Sequence, residues 1–534
     1  MLERFLRAKE DRPTPPEVYN LRLYFTVMAI SMSLLVFGYD TSFIGTTLEI
    51  PSFTHDFGLD GMSAAEKSAT TGNLTSVFSV GAFFGSVLMF FIFEVFGRRV
   101  SLLIADVVAI VGAVLCTAAN GHLGVLYTGR VLCGFGVGGF VSVVPIYISE
   151  LSPPAVRGRM TGLFEAFYQM GSLVGFWINF GIKRHIDTSH SLAWRIPMAM
   201  QLIPVGLVAL CFPVLQESPT WLLKQGRLVE ATKAFAYLRQ LPVDHHYILE
   251  DVAFVQAQLA VEQTLTTATA TPGHVRLLTH LRGAWREGRM KGMRNRFGLV
   301  IMMTTFQAWG GAVAVNYYSP IIFRAIGLEN TTLWTGVYGV IKSVSAIIYF
   351  LCFIETAGRK WPWVISCVGC ACCMYYLGAY VELVNAHGLV NAAAARAAAA
   401  AIMIYGFMWS FGANGLPLII AAEIFPPSLR SVSGPFAGVF IWLWSFTVTK
   451  VNPYMFTGMG PGGCGVYLFF GSMLFCSACF AVFFIPETKG LRIDQMDRLF
   501  GAVDGQSHDY YQEAEAVIET EKKCGEVQML ENVV

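Results

Sequence analysis

The chain is a succession of apolar runs, each long enough to cross a bilayer, joined by short polar segments. The runs cover approximately residues 22–45, 72–93, 100–118, 124–148, 160–181 and 195–214. After a polar break of about eighty residues they resume at approximately 297–323, 331–354, 362–384, 398–421, 433–455 and 464–485. Only helices satisfy their own backbone groups in lipid, so each run predicts a spanning helix. The expected architecture is an all-α membrane protein with twelve transmembrane helices in two six-helix bundles. It divides into an N-terminal segment 1–21, a first bundle 22–215, a helical linker 216–295, a second bundle 296–485 and a tail 486–534. In the linker, Pro219–Leu238 and Tyr247–Leu265 read as short amphipathic helices, and the alanine tract at 392–395 and 397–401 reads either as the start of the tenth helix or as a loop end.

Composition agrees: 54% of the 534 residues are hydrophobic and only 14% charged, against roughly 25% charged in soluble domains. A net charge of +1 leaves no basic domain for nucleic acid. The opening Met1–Asn20 is polar and the first apolar run is too long for a signal core, so the first helix is expected to stay. Arg98-Arg99, Arg157 with Arg159, Arg359-Lys360, Arg430 and the basic segment Arg276–Arg296 all fall on one side, which predicts that both termini and the linker are cytoplasmic.

The two halves repeat. Gly97-Arg98-Arg99 recurs as Gly358-Arg359-Lys360, Glu150 with Arg157 as Glu423 with Arg430, and Glu217-Ser218-Pro219 is echoed by Glu487-Thr488-Lys489. Matches in the same order at a near-constant offset indicate a duplicated six-helix unit around a midplane site. The charged sets, with Glu94 and Glu355 beside them, lie at the cytoplasmic helix ends, where they are candidates for a gate that locks the bundles together; topogenic charge is the plainer reading. Asp40 and Arg130 are different, because each sits inside a predicted span. An ionisable side chain at that depth costs about 2.5–3.5 kcal/mol and calls for a partner or a water path. Counted from the outer ends of their helices, both lie roughly 8–9 Å deep at 1.5 Å per residue. Opposite charges at matched depth form a candidate proton switch.

The strings Gly38-Tyr39-Asp40, Gly129-Arg130, Pro145-Ile146-Tyr147-Ile148-Ser149-Glu150-Leu151-Ser152-Pro153, Arg157-Gly158-Arg159, Glu217-Ser218-Pro219, Tyr317-Tyr318-Ser319 and Pro486-Glu487-Thr488-Lys489-Gly490 resemble the sugar porters of the major facilitator superfamily. The opening Lys9-Glu10-Asp11-Arg12-Pro13-Thr14-Pro15, together with Phe43-Ile44-Gly45-Thr46-Thr47, resembles the fungal quinate permease branch. The resemblance implies the major facilitator fold, alternating access, a plasma-membrane location, function as a monomer and a small polar substrate. It also implies that a carboxylate and arginine at Asp40 and Arg130 couple transport to protons, the proton being the coupling ion and no other cofactor being needed. Substrate contacts are implied for Gln169, Gln307, Tyr317 and Asn414. Other expected polar contacts are absent, since Ala308, Val313, Leu418 and Ile441 stand where hexose carriers have polar or aromatic groups. Losing hydroxyl partners argues against a plain glucose carrier.

Lys342 points to the replacement. It lies at the centre of the eighth predicted helix, with Tyr338 and Ala346 one turn away and no carboxylate on its own helix. A buried ammonium facing the cavity favours an anionic substrate, with snorkelling as the alternative. Trp409 supplies an apolar face to a ring, or packs in the core. The leading expectation is a proton symporter for an acidic polyol or sugar acid of the quinate or galacturonate type. A carrier of neutral monosaccharides and a non-transporting sensor are the alternatives, and no grouping of nucleophile and base suggests an enzyme. Gly134 to Gly139 mimics a dinucleotide fingerprint inside a predicted span and reads as helix packing. Cys367, Cys370, Cys372 and Cys373 read as core residues rather than a metal site, and Asn330-Thr331-Thr332 is a sequon close to a helix start.

Overall fold

The computed structural model describes residues 14–153, 156–266, 291–328, 330–387, 392–425, 427–488 and 500. Every regular element among them is helical. The twelve spans form two six-helix bundles, and ten of the described helices are long and apolar enough to cross a membrane by composition alone. The fifth and eighth spans, which carry Glu165 and Lys342, are not among those ten.

The first span is two helices, Leu21–Ser31 and Ser33–Thr47. The second, third and fourth are Ala64–Phe96, Arg98–Thr117 and Leu123–Leu151. The fifth is Arg157–His185, and the sixth is split at Gln201 into Leu192–Met200 and Leu202–Cys211. In the other half the seventh span is broken between Lys291–Ala308 and Ala312–Ala325, where Gly311 adopts φ 92°. The eighth runs Thr331–Ile348 and continues through a π-helical turn, Tyr349–Phe353. The ninth is Lys360–His387. The tenth is Ala392–Met408, a second π-helical turn at Trp409–Ala413, and Leu416–Ile424. The eleventh and twelfth are Pro427–Gly458 and Cys464–Phe484. The alanine tract therefore opens the tenth helix.

The second span starts eight residues before the apolar window predicts. Ser63 and Glu66 form a reciprocal capping box, with the Ser63 backbone N–H donating to Glu66 Oε2 at 2.9 Å. Such a cap is worth about 0.5–2 kcal/mol and lets the helix begin in polar sequence that a hydropathy window passes over.

Each half has its own apolar core, and a few residues cross between them. Tyr317, Tyr318 and Trp442 of the second half pack into the first core, while Phe176 of the fifth span packs into the second. Within the first bundle, glycines bring backbones together. A Cβ on Gly134 or Gly138 would strike the carbonyls of Phe78 or Ala82 on the second span, and one on Gly136 would reach Ala109 of the third at 2.6 Å. The glycine-rich string of the fourth span is therefore a two-sided packing face, as small residues in lipid commonly are.

The linker forms Pro219–Lys224, Leu228–Arg239 and His246–Thr266. They share a small core around Trp221, Phe235 and Ile248. Trp221 Nε1 donates to the Glu94 carbonyl at 3.1 Å and Arg239 Nη1 to the Leu151 carbonyl at 2.8 Å, which ties these helices to the first bundle. The basic stretch at 276–290, the N-terminal 1–13 and the tail lysines Lys522-Lys523 lie outside the described residues. Asn330 caps the eighth span through its side chain, which accepts from the Leu333 N–H at 3.4 Å.

Candidate substrate and ion sites

Between the bundles, the fifth, seventh, eighth and tenth spans turn a set of polar side chains toward one another. Gln169 Nε2 donates to Glu165 Oε1 at 2.7 Å, one helical turn along the fifth span. From the opposite bundle, Asn414 Nδ2 donates to the same Glu165 oxygen. Asn414 also accepts from Trp409 Nε1 at 3.1 Å through its Oδ1, and its backbone carbonyl accepts from Gln307 Nε2. Lys342 Nζ donates to Asn316 Oδ1 at 3.2 Å and stands 5.4 Å from the centre of the Tyr168 ring. Ser343 Oγ donates to the Gln169 carbonyl at 2.9 Å, so the fifth and eighth spans are also stitched through the backbone.

The backbone of the tenth span explains the position of Trp409 and Asn414. Its π-helical turn at Trp409–Ala413 runs directly into Asn414-Gly415, and Pro417 follows at the start of the next helix. The extra residue in the turn frees carbonyls and re-aims side chains toward the cleft. Trp409 is buried, stacked on Tyr405 with ring centres 6.1 Å apart, and Tyr405 is held by its own hydroxyl donating to the Gly310 carbonyl at 2.8 Å. Gly310 precedes the break in the seventh span, so the two interrupted helices brace one another.

Charge in this cleft is sparse and enclosed. Lys342 is 1% exposed and Glu165 5%. The ammonium remains inside rather than snorkelling, and among the described residues it has no carboxylate within 4.0 Å; Glu165 is the negative charge that acts on it. Gln169 Oε1 is buried without a hydrogen-bond partner among the described residues, which leaves an acceptor facing the cleft.

A second charged pair lies deeper in the first bundle. Arg130 Nη1 meets Asp40 Oδ1 at 2.5 Å, both side chains being wholly buried. Arg130 also donates from Nε to the Leu74 carbonyl at 3.3 Å and lies 4.8 Å over the Phe78 ring. Asp40 Oδ2 and Arg130 Nη2 are buried without hydrogen-bond partners among the described residues, so the pair is held by a single contact rather than a two-pronged one. Tyr317 stands apart from the Glu165 network. It lines a cavity of about 780 Å³ at the end of the bundles away from the linker. Lys67, Lys183 and Arg324 face this vestibule with Glu49 as its carboxylate.

On the linker side, each half carries the same charged cluster. Arg98 Nη2 contacts Glu150 at 2.9 Å and Glu94 at 3.5 Å, while Glu217 Oε1 accepts from the Arg98 backbone N–H at 2.8 Å. Arg359 Nη2 contacts Glu423 at 2.8 Å, and Glu487 Oε1 accepts from the Arg359 backbone N–H at 2.8 Å. Burial pushes the Glu217 carboxyl above its usual range, partly offset by the N–H groups of Ser218, Arg99 and Arg98 that donate to it. These contacts tie helix ends within one bundle. Arg157 lies at the start of the fifth span. The Glu355 and Arg430 side chains are outside the described residues.

Two residues of the cleft were not singled out from sequence. Glu165 falls inside the fifth predicted span and Asn316 directly precedes the tyrosine pair. For Glu165 the signal was present, an ionisable residue at membrane depth one turn before Gln169. Asn316 gave none, because a lone asparagine beside a helix break reads as local capping. Asp106 of the third span is a further buried carboxylate whose oxygens have no hydrogen-bond partner among the described residues.

Two bundles, interrupted helices facing a shared cleft and charged pairs at membrane depth define a membrane transporter. A family model described as "Sugar (and other) transporter" matches residues 25–500, and the chain belongs to that family. Curated relatives include a probable quinate permease of Aspergillus niger, 39% identical over 504 residues that cover 93% of this chain and 91% of the relative. Another, of Aspergillus fumigatus, is 38% identical over 507 residues, covering 93% and 90%. Among solved structures, the proton:xylose symporter XylE of the major facilitator superfamily superposes with a TM-score of 0.73 at 23% identity, over 90% of this chain and 99% of that one. A partially occluded, inward-open form of XylE from E. coli gives a TM-score of 0.70 at 22% identity, over 89% and 100%. The chain is thus a transporter of the major facilitator fold and not an enzyme.

The linker-side clusters make a stability prediction. Arg98 is buried and serves two carboxylates, whereas Arg227 pairs with Glu230 at the surface. Arg98→Met should lower stability by about 3–5 kcal/mol, the cost of stranding a buried partner, while Arg227→Met should cost at most about 1 kcal/mol. Thermal unfolding of the purified protein in detergent measures both, and equal shifts would contradict the assigned roles.

Proposed function

We propose that the protein imports an acidic polyol or sugar acid, of the quinate or galacturonate type, together with protons by alternating access. The observation that carries this reading is Lys342: an ammonium at the bundle interface, 1% exposed and bonded to the neutral Asn316, whose counter-charge Glu165 acts on it from the other bundle with no carboxylate within 4.0 Å among the described residues. A buried cation whose counter-charge stays at a distance leaves room for an anion arriving as substrate to make the direct contact. The vestibule adds support: Arg324 pairs with Glu49 at 3.5 Å and Lys67 lies 4.0 Å from Asp60, while Lys183 donates to the neutral Thr332, so three cations face two carboxylates and the net charge there favours anions. So do the relatives named as probable quinate permeases. Gln169, Gln307 and Asn414 then serve the hydroxyls, and Trp409 offers a ring face.

Asp40 carries the coupling proton in this account. Ionised, it is held by Arg130; protonated, it releases the arginine, and the single-contact geometry makes that exchange local to two side chains. The charged clusters on the linker side, including Glu94, Arg98, Glu150, Arg157, Glu217, Arg359, Glu423 and Glu487 with Glu355 and Arg430 in the same segments, act as the inner gate by stiffening the ends of each bundle. The protein works as a monomer in the plasma membrane, with both termini and the linker in the cytoplasm.

Lys342→Met keeps the stem and deletes the charge. It should weaken apparent affinity for quinate or galacturonate by about 1.5–3 kcal/mol, the range for a hydrogen bond to a charged group, while any neutral sugar taken up is affected far less. Uptake assays with labelled quinate, galacturonate, glucose and xylose read this out, and normal affinity for the acids in a surface-expressed Lys342→Met protein would remove the acidic-substrate reading. Asp40→Asn should abolish accumulation against a gradient yet retain exchange of substrate across the membrane. Accumulation that survives in this variant, with unchanged sensitivity to a protonophore, would end the assignment of Asp40.

A further inference from the structure

If the substrate is an anion, the cleft holds one negative charge too many. Glu165 and an arriving carboxylate would both face the single ammonium of Lys342 inside a site from which water is largely excluded. Two like charges sharing one counter-ion in such surroundings are strongly disfavoured, and the usual resolution is that one of them takes a proton. Glu165 is built for that exchange. Its Oε1 accepts from Gln169 and from Asn414, whereas its Oε2 carries no hydrogen bond among the described residues. A proton placed on Oε2 costs no existing contact and converts that oxygen into a donor for a substrate hydroxyl.

The groups around Glu165 leave it as the site's own acid. From the eighth span the charged neighbour is Lys342, and from the tenth the neighbours are the neutral Asn414 and Gly415. On its own helix the neighbours are Gln169 and the phenol of Tyr168. The π-helical turn of the eighth span brings Phe350 and, next to it, the phenol of Tyr349. On the first span Asp40 is engaged by Arg130 of the fourth. Glu165 and Lys342 also belong to opposite bundles, so neutralising one of them loosens the electrostatic tie across the very interface that must open and close.

We propose that Glu165 is a second proton-carrying carboxylate, taking up a proton as the anionic substrate takes its place as the counter-ion of Lys342 and releasing that proton with the substrate on the other side. This rests on the acidic-substrate reading above. The charge balance follows directly. One proton on Asp40, one on Glu165 and a monoanionic substrate carry a net single positive charge per cycle. Without Glu165 the same cycle moves one proton with one anion and is electrically silent.

The test is the proton-to-quinate ratio and the response to membrane potential of purified protein in proteoliposomes. The wild type should carry two protons per quinate and be accelerated by an inside-negative potential; Glu165→Gln should carry one and lose the response to potential while still following a pH gradient. A Glu165→Gln protein that keeps the wild-type ratio overturns the proposal. Should that variant fail to fold or transport, proton uptake on quinate binding to Asp40→Asn in weak buffer decides instead: one proton per quinate bound supports a second carboxylate, and none overturns it. Linked proton uptake of this kind also weakens binding roughly tenfold per pH unit as pH rises. Wild-type protein that carries quinate with a single proton defeats the second proton alone. Wild-type protein that neither binds nor carries quinate or galacturonate defeats the substrate reading, and the second proton with it.

Discussion

A charge held between apolar helices must find its counter-charge inside the protein, and this requirement organises the interior more than any other interaction. The chain meets it in two ways. Asp40 and Arg130 satisfy one another within the first bundle, at 2.5 Å and fully enclosed. Lys342 and Glu165 face one another across the two bundles without touching. The first arrangement closes its charge on itself through one contact, with Asp40 Oδ2 and Arg130 Nη2 lacking hydrogen-bond partners among the described residues. The second leaves an interval that a ligand can fill, and in a two-bundle carrier a ligand that fills the interval is also the one that bears on both moving parts.

The packing around these groups is tuned to hold them still while the bundles move. Backbone carbonyls of the second and fourth spans approach so closely at Gly81, Gly85, Gly134 and Gly138 that no side chain fits between them. Rigidity within a bundle of this kind concentrates motion at the interface. The irregular backbone lies where it is needed: the break at Gly311, the π-helical turn before Asn414 and the one that follows Ile348 all border the cleft or the interface. Non-helical backbone at membrane depth persists only where it lines a cavity or is buried in protein, and here Tyr349, Phe350, Trp409, Ser410 and Ala413 of the π-helical turns are buried.

Much of this was legible in the residues. The twelve spans followed from hydropathy, the two-fold repeat from Gly97-Arg98-Arg99 and Gly358-Arg359-Lys360, and the meeting of Asp40 with Arg130 from matched depth on two helices. Other features were not, for physical reasons. The early start of the second span depends on a cap formed by two polar side chains, to which a hydropathy window is blind. The π-helical turn at Trp409 is flanked by contacts to other spans, Ser366 donating to the Met408 carbonyl and Tyr405 to the Gly310 carbonyl, which a reading of the tenth helix alone does not contain. The Glu165 partner of Lys342 comes from the other half of the chain, so inspection of the eighth helix by itself could show a cation but never its counter-ion.

The central claim is that the cleft recognises a negative charge. Equilibrium binding of quinate and of its methyl ester to the wild-type protein, by calorimetry in detergent at one pH, tests it most directly, because the two ligands share ring and hydroxyls and differ in the carboxylate. Loss of one charge-assisted hydrogen bond should make the ester bind at least about tenfold more weakly. Equal affinity for the acid and the ester would contradict the account.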